Sequence, residues 1–252
     1  MLFWFILTQQ ILLAAEQYES GDTLYVWAQS GLNVRAAANI SGKKIGKLQA
    51  GERVEVMSLT TKGYDIVAVD VHPELYEDNI YEEEGSSEPY YLRGTWVKVK
   101  GAKFEGYVID SYLLKYVPPP PNTSIGTYFV DLRGESMKVD TTWETDCDGA
   151  GFVDCYSYEG RTKSGFTISG SYMMSATNHS ITIPEMMTLE EGFVFLNYFY
   201  SLEDGLRLKK GIPMLKYMDG GEESMWFLEG ETCEFWISVE EGKLQLSEGC
   251  SC

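Results

Sequence analysis

The chain has 252 residues, which is enough for one large or two ordinary domains. Its hydrophobic fraction of 44% and aromatic fraction of 13% are those of a packed globular protein and exclude wholesale disorder. The net charge of −18 comes from 38 acidic and 20 basic residues. Because affinity for nucleic acid depends largely on neutralised phosphates, this charge argues against a nucleic-acid partner.

Residues 1–15 are nearly all apolar. The run is short for a membrane span, which needs about 20 apolar residues, but it has the length of a signal-peptide core. No Lys or Arg precedes it, so a buried first strand or an uncleaved anchor is the alternative. We predict a signal peptide, a periplasmic or extracellular protein of the cell envelope, and no membrane span in the mature form.

Short alternating strands follow, each bounded by Gly or other turn residues. They are predicted at 23–27, 53–57, 96–99 and 106–109. No convincing segment of helical period lies among them. We therefore predict a small all-β domain at 22–117.

An acidic insertion at 70–90 interrupts this domain, with eight acidic residues and no Lys or Arg. The whole 22–117 segment has 11 basic and 14 acidic residues, so outside the insertion basic residues exceed acidic ones by five. The insertion is either a solvated loop or a segment that folds over a basic face of its own domain.

A proline run at 118–124 (PPPPNTS) cannot be helix or central strand and is predicted to be a stiff linker between domains. The part after it, 125–252, has strand composition at 127–130, 151–153, 165–168, 180–183 and 234–239. Thr188 and Glu191 have the spacing of a capping box, and apolar residues then recur at helical spacing. We predict one amphipathic helix at 188–203 in a β-rich α+β domain.

All five cysteines lie after residue 140, so disulfides of an exported chain belong to the second half. Residues 234–247 are predicted to form a hairpin with Glu241 and Gly242 at its turn. Counting outward from that turn places Cys233 opposite Cys250, at a separation that a disulfide can bridge. Cys147 and Cys155 are the predicted second pair. Five reduced thiols in a cytosolic protein are the alternative.

Five elements of the first domain occur in a specific order. They are 31–35 (GLNVR), 46–48 (GKL), 51–56 (GERVEV), 96–99 (WVKV), and 106–108 (GYV) with 112–113 (YL). In this order they resemble the bacterial-type SH3 (SH3b) family over about 95 residues. The resemblance implies an SH3-like small barrel at 22–117 that acts as a targeting or binding module, often in bacterial proteins that meet the cell wall.

The SH3b resemblance also indicates a ligand. We expect a cell-wall (peptidoglycan) peptide or another envelope protein, bound by exposed aromatic residues of the first domain and one cation. The candidate ligand-binding residues are Tyr25, Trp27, Arg35, Tyr64 and Tyr112. Trp96 and Tyr107 are assigned to the core of the barrel instead.

Catalytic and metal chemistry find little support in the sequence. Cys155 and His179 are the plausible nucleophile and base of a papain-like peptidase, but a disulfide Cys and a surface His are preferred. A calcium site would need more alternating acids than Asp146, Asp148 and Asp154 supply, so no metal site and no cofactor are predicted.

The fold class is thus predicted to be mainly β, with an SH3-like barrel followed by a β-rich α+β domain. The predicted function is non-catalytic binding outside the cytoplasm. Two alternatives stay open. One is an envelope hydrolase with an active site in the second domain, and the other is a structural or calcium-holding surface protein.

Overall fold

The computed structural model describes ten stretches of the chain and three isolated positions between them. The stretches are 18–69, 90–120, 127–128, 136–145, 154–173, 176–184, 188–200, 215–219, 224–229 and 233–251, with single residues at 123, 131 and 134. The predicted signal peptide at 1–15 lies outside these residues, as does the acidic insertion apart from Tyr90.

The described residues of the first half form nine strands. They are β1 Thr23–Val26, β2 Leu32–Arg35, β3 Lys44–Leu48, β4 Arg53–Gly63, β5 Ile66–Val69, β6 Tyr90–Leu92, β7 Thr95–Lys100, β8 Glu105–Ile109 and β9 Leu113–Leu114. Seven of them form one curled antiparallel sheet in the order β3-β2-β8-β7-β4-β1-β9, and β5 pairs with β6. This is the architecture of an SH3-like barrel.

Alternation along these strands fills the barrel. Leu32 and Val34 are buried while Asn33 between them is exposed, and Val54 and Val56 of β4 are buried in the same way. Gly51 has φ +78°, a conformation that residues with a Cβ rarely adopt, and it makes the turn from β3 into β4. The predicted strands of the first half are confirmed.

The described residues of the second half form one antiparallel sheet and include one long helix. Its strands are β10 Lys138–Thr145, β11 Asp154–Arg161, β12 Thr167–Met173, β13 Ala176–Ile183, β14 Leu215–Asp219, β15 Ser224–Glu229, β16 Cys233–Glu240 and β17 Lys243–Ser251. Among the described residues the strand order is β10-β11-β12-β13-β17-β16-β15-β14, and helix α1 spans Leu189–Tyr200. The prediction of a mainly β fold is confirmed.

The β16–β17 hairpin has the predicted register. Glu240 pairs with Lys243, Ile237 with Leu246, and Cys233 with Cys250. Both turn residues have positive φ, 50° at Glu241 and 72° at Gly242. Two consecutive positive φ values are those of a type I′ turn, whose twist matches that of the flanking strands.

Helix α1 begins at the predicted capping box. The Glu191 backbone N–H donates to the Thr188 hydroxyl (3.2 Å), and the Thr188 backbone N–H donates to the Glu191 carboxylate (3.0 Å). Burial raises the pKa of the Glu191 carboxyl to about 7, against the opposing effects of the Thr188 hydrogen bond and the Lys115 charge. The box therefore contains a carboxyl group that titrates near neutral pH.

This raised pKa predicts how stability depends on pH. The folded-state pKa lies above the ordinary value of 4.5, so folding favours the protonated acid. Its contribution to stability is complete below pH 4.5 and is lost as pH rises through about 7. Glu191→Gln keeps the accepting oxygen without the charge. It should raise the free energy of unfolding by roughly 1–2 kcal/mol above neutral pH, measured by urea denaturation.

Glu190→Gln is the matched control, because it removes the same charge from the adjacent position of the first helical turn. The Glu190 charge is the smallest contribution to the raised pKa of Glu191, so this variant should reduce the pH dependence of unfolding only slightly. If the free energy of unfolding changed equally in the two variants between acid and alkaline pH, Glu191 would not titrate as described.

One face of α1 packs against the barrel. The Trp27 ring lies 4.5 Å from Phe195 and 5.0 Å from Tyr198, centroid to centroid, and Tyr90 lies 5.1 Å from Phe193. Two hydrogen bonds support these ring contacts. Gln29 Nε2 donates to the Tyr198 carbonyl (2.9 Å), and the Trp27 indole N–H donates to the Tyr116 carbonyl (2.8 Å).

The same helix also packs against the eight-stranded sheet. A Cβ added at Gly192 would lie 2.7 Å from Ile237 and 2.9 Å from Leu244, so glycine permits a close approach of helix and strands. Buried residues of the barrel, the helix and the sheet belong to one continuous hydrophobic cluster. Helix α1 therefore connects the two sheets through a shared core.

Two predictions from the sequence concern the proline run and the residues that follow it. Thr127 and Tyr128 have helical backbone, so the predicted strand at 127–130 is wrong there. Tyr128 packs on Trp27 and donates its hydroxyl to the Val117 carbonyl (2.7 Å), and these tertiary contacts override strand propensity. Pro118 and Pro119 are buried. The linker at 118–124 and the boundaries at 22–117 and 125–252 stay predictions.

Candidate functional site

The five predicted ligand-binding residues differ in accessibility. Trp27 is 2% exposed, and Tyr112 is buried as well. Tyr25 is half-buried and packs against the core. Arg35 is buried, and its guanidinium donates to the Gly42 carbonyl (2.8 Å), which braces the loop between β2 and β3. Tyr64 is the exposed member of the set, at 36%.

Tyr64 is held firmly although its ring reaches solvent. Its backbone N–H donates to the Gly94 carbonyl (2.8 Å), and its ring lies 6.1 Å from that of Trp96, which is buried. The Trp96 carbonyl in turn accepts the Thr60 hydroxyl (2.6 Å). A rigid exposed aromatic ring contacts a ligand at little entropic cost, so Tyr64 is the strongest candidate in the barrel.

A buried acid lies at the closing end of the barrel. Asp110 accepts the Tyr18 hydroxyl (2.6 Å) at one oxygen and the Thr95 backbone N–H (2.6 Å) at the other. Burial raises the pKa of the Asp110 carboxyl, although both hydrogen bonds oppose the shift. The pair fixes the segment that precedes β1 onto the barrel and presents no reactive group to solvent.

A groove of about 720 Å³ crosses one face of the eight-stranded sheet. It is lined by residues of β10, β11, β12, β13, β16 and β17. Residues that lie directly opposite each other on paired strands share a face. One such row contains Ser169, Ser180 and Ser247. The next row contains Ser157, Ser171, Asn178 and Gly249.

The walls of the groove are larger side chains at its two ends. Trp236 lies opposite Ser247 and is 39% exposed, and Glu234 lies opposite Gly249. At the other end Asp140 lies opposite Glu159. The groove therefore has a floor of small polar residues, one indole ring and several carboxylates.

Tyr158 and His179 form a polar pair on the opposite face of the sheet, in the row between the two Ser rows. The Tyr158 hydroxyl lies 2.7 Å from His179 Nδ1, and burial raises the pKa of the Tyr158 phenol. A Cβ at Gly170 would lie 2.7 Å from the Tyr158 ring, so this glycine lets the ring cross strand β12 to reach His179. A raised pKa favours the neutral phenol, so the Tyr158 hydroxyl keeps its proton at neutral pH.

The structure also gives evidence on two alternatives to a binding function, a Cys–His peptidase site and a metal site. Cys155 is disulfide-bonded, so it supplies no thiolate to the peptidase dyad that was considered with His179. Across the described part of the chain no three Asp, Glu, His or Cys side chains cluster as metal ligands do. Asp146 and Asp148 lie outside the described residues, and so does the side chain of Asp154.

Cys233 and Cys250 form the predicted disulfide. It joins residues that lie directly opposite each other on β16 and β17. The predicted Cys147–Cys155 pair stays a prediction, because Cys147 lies outside the described residues.

Residues 30–114 match the bacterial SH3 domain family. The match begins just before β2 and ends with β9, so it covers most of the curled sheet described above. No curated protein and no solved structure gives a significant match to the chain.

Sequence reasoning missed the groove and the cover over Trp27. The groove arises from the register of six strands, two of which, β13 and β17, pair across more than 50 residues of intervening chain. The cover over Trp27 comes from α1, which is more than twice as distant from it in sequence. The available signal for the groove was the unusual frequency of Ser and Gly at 164–171 (SGFTISGS) and 247–251 (SEGCS).

Proposed function

We propose that this is an exported, non-catalytic binding protein whose bacterial SH3 domain recognises a peptide of the cell wall. The observation that carries the proposal is the family match at 30–114, on a barrel with the strand order described above. The presence of a bacterial SH3 domain suggests that the protein binds the cell wall. An envelope protein as ligand is the second reading of the same domain.

Two findings support a place outside the cytoplasm. The Cys233–Cys250 disulfide is of a kind that persists in oxidising compartments and is rare in cytosolic proteins. The apolar run at 1–15 is of signal-peptide length. Within the residues that the structure describes, no helix has the length and apolar character needed to cross a membrane.

Tyr64 is the proposed ligand anchor, because it is exposed and rigid whereas Trp27, Arg35 and Tyr112 are buried. Tyrosine is enriched among the minority of interface residues whose truncation weakens binding by more than about 1 kcal/mol. The acidic insertion at 70–90 is proposed to modulate this binding.

Co-sedimentation with purified peptidoglycan tests the proposal. The full-length mature protein should sediment with the insoluble wall, and Tyr64→Ala should weaken retention by about fivefold or more. Tyr172→Ala is the matched control, since it removes an exposed tyrosine from the other sheet and should leave retention unchanged. Failure of the wild-type protein to sediment would overturn cell-wall binding, and equal effects of the two variants would exclude Tyr64 as the anchor.

A further inference from the structure

The groove on the eight-stranded sheet is built from residues that disfavour strands. Ser169, Ser180 and Ser247 lie side by side on three adjacent strands, where β-branched or aromatic residues would pair more favourably. Ser171 and Gly249 continue the pattern in the next row. When several paired strands break the same local preference on one exposed face, the face is more readily explained by function than by stability.

Small side chains have a direct geometric consequence. They leave the sheet surface low in the middle, while Trp236 at one end and Asp140 with Glu159 at the other stand higher. The resulting volume of about 720 Å³ falls within the roughly 300–1,000 Å³ that ligand sites usually occupy. The floor offers hydroxyl and amide groups, which both donate and accept hydrogen bonds.

The charges of the groove restrict the class of ligand. The carboxylates of Asp140, Glu159 and Glu234 line it, and no Lys or Arg is among its described lining residues. An anionic polymer is therefore repelled. Asp140 is already paired with Lys138 (2.9 Å) and Glu159 with Arg161 (3.3 Å), which reduces the attraction for a cationic ligand.

Backbone recognition of a peptide is also disfavoured here. The floor strands β12, β13 and β17 lie inside the sheet and are paired on both sides, so they have no free edge to which a peptide strand could be added. The ligand must be recognised by side chains alone. The hydroxyl groups, the carboxylates and the indole ring of the groove match a sugar. The sugar hydroxyls can bind the serine hydroxyls and the carboxylates, and the C–H face of the sugar ring can pack on the indole ring.

We propose that this groove binds a neutral glycan chain, with Trp236 stacking on one sugar ring and the Ser and Asn rows and Glu234 binding sugar hydroxyls. The site lies on a different sheet from the bacterial SH3 domain and does not depend on the function proposed for that domain. With both sites, one protein would bind a peptide through the SH3 domain and a glycan through the groove.

Isothermal titration calorimetry of the full-length protein with chitotetraose and cellotetraose tests the proposal. Both are neutral oligosaccharides without peptide, so a negative result here is distinguishable from failure of the SH3 domain to bind the wall. We expect at least one of them to bind, with an affinity that changes little with salt. Trp236→Ala should weaken binding about tenfold or more.

Two further variants define the site. Trp143→Ala is the matched control: Trp143 is 70% exposed on the opposite face of the same sheet, and its loss should change affinity less than twofold. Ser157→Tyr places a ring over the floor at an exposed position and should abolish binding while preserving strand propensity. Circular dichroism establishes that each variant is folded.

Three results would overturn the proposal. The first is no heat of binding with either oligosaccharide. The second is an equal loss of affinity in Trp236→Ala and Trp143→Ala, which would place the ligand elsewhere. The third is salt-sensitive binding of a lysine-rich peptide in place of both sugars, which would make the groove a site for cationic partners.

Discussion

Replacing Trp27 with alanine is expected to lower the free energy of unfolding by about 3–5 kcal/mol. The indole ring contacts Tyr128, Phe195 and Tyr198, and it is almost wholly buried where the barrel meets helix α1. Truncation removes this apolar contact and leaves a cavity in the shared core. It also leaves the Tyr116 carbonyl without the indole N–H that donates to it. Urea denaturation, followed by circular dichroism, measures the effect.

Trp143→Ala is the control for this experiment. It removes the same side chain from a position that is 70% exposed, so the free energy of unfolding should change by less than about 0.5 kcal/mol. A loss below 1 kcal/mol for Trp27→Ala would show that the barrel does not depend on its contact with the helix. In that case the two halves would have separate cores.

Removing the Cys233–Cys250 disulfide should have the second largest effect. The double variant Cys233→Ser, Cys250→Ser opens a crosslink between residues 17 apart, and the chain-entropy model gives about 3 kcal/mol for such a loop. Thermal unfolding without reductant should show a clearly lower midpoint than the wild type. The hairpin register is held by its own turn and strand pairs, so the fold should be retained at low temperature.

The crosslink can be checked independently by peptide mapping of the unreduced secreted protein. We expect a peptide that contains both Cys233 and Cys250 in a disulfide. A link from Cys233 to any other cysteine would contradict the register, and an unlinked Cys233 would contradict the disulfide.

Local sequence rules were sufficient where a few neighbouring residues determine the geometry. The Glu241-Gly242 turn and the alternation on either side of it specify the β16–β17 pairing, and so they place Cys233 opposite Cys250. The Thr188–Glu191 box likewise specifies the start of α1. Each of these signals acts within about ten residues of the chain.

Contacts between distant segments were not predictable by the same rules. Trp27 follows a strand of ordinary alternation, and nothing near it in sequence indicates that Phe195 and Tyr198 will cover it. The groove depends on how β12, β13 and β17 align, and Ser-rich strands have weak preferences for any register. Four of the five predicted ligand residues are buried or half-buried in the structure. The groove on the other sheet was not predicted, because it depends on the alignment of distant strands.

The proposal of non-catalytic wall binding is tested most directly by incubating the mature protein with purified peptidoglycan and measuring two quantities in the same tube. One is the protein retained on the insoluble wall, and the other is the amount of soluble wall fragments released over time. We expect retention of the protein with release no greater than that of wall incubated alone. Release that rises with protein concentration would contradict the proposal and show that the protein is a hydrolase.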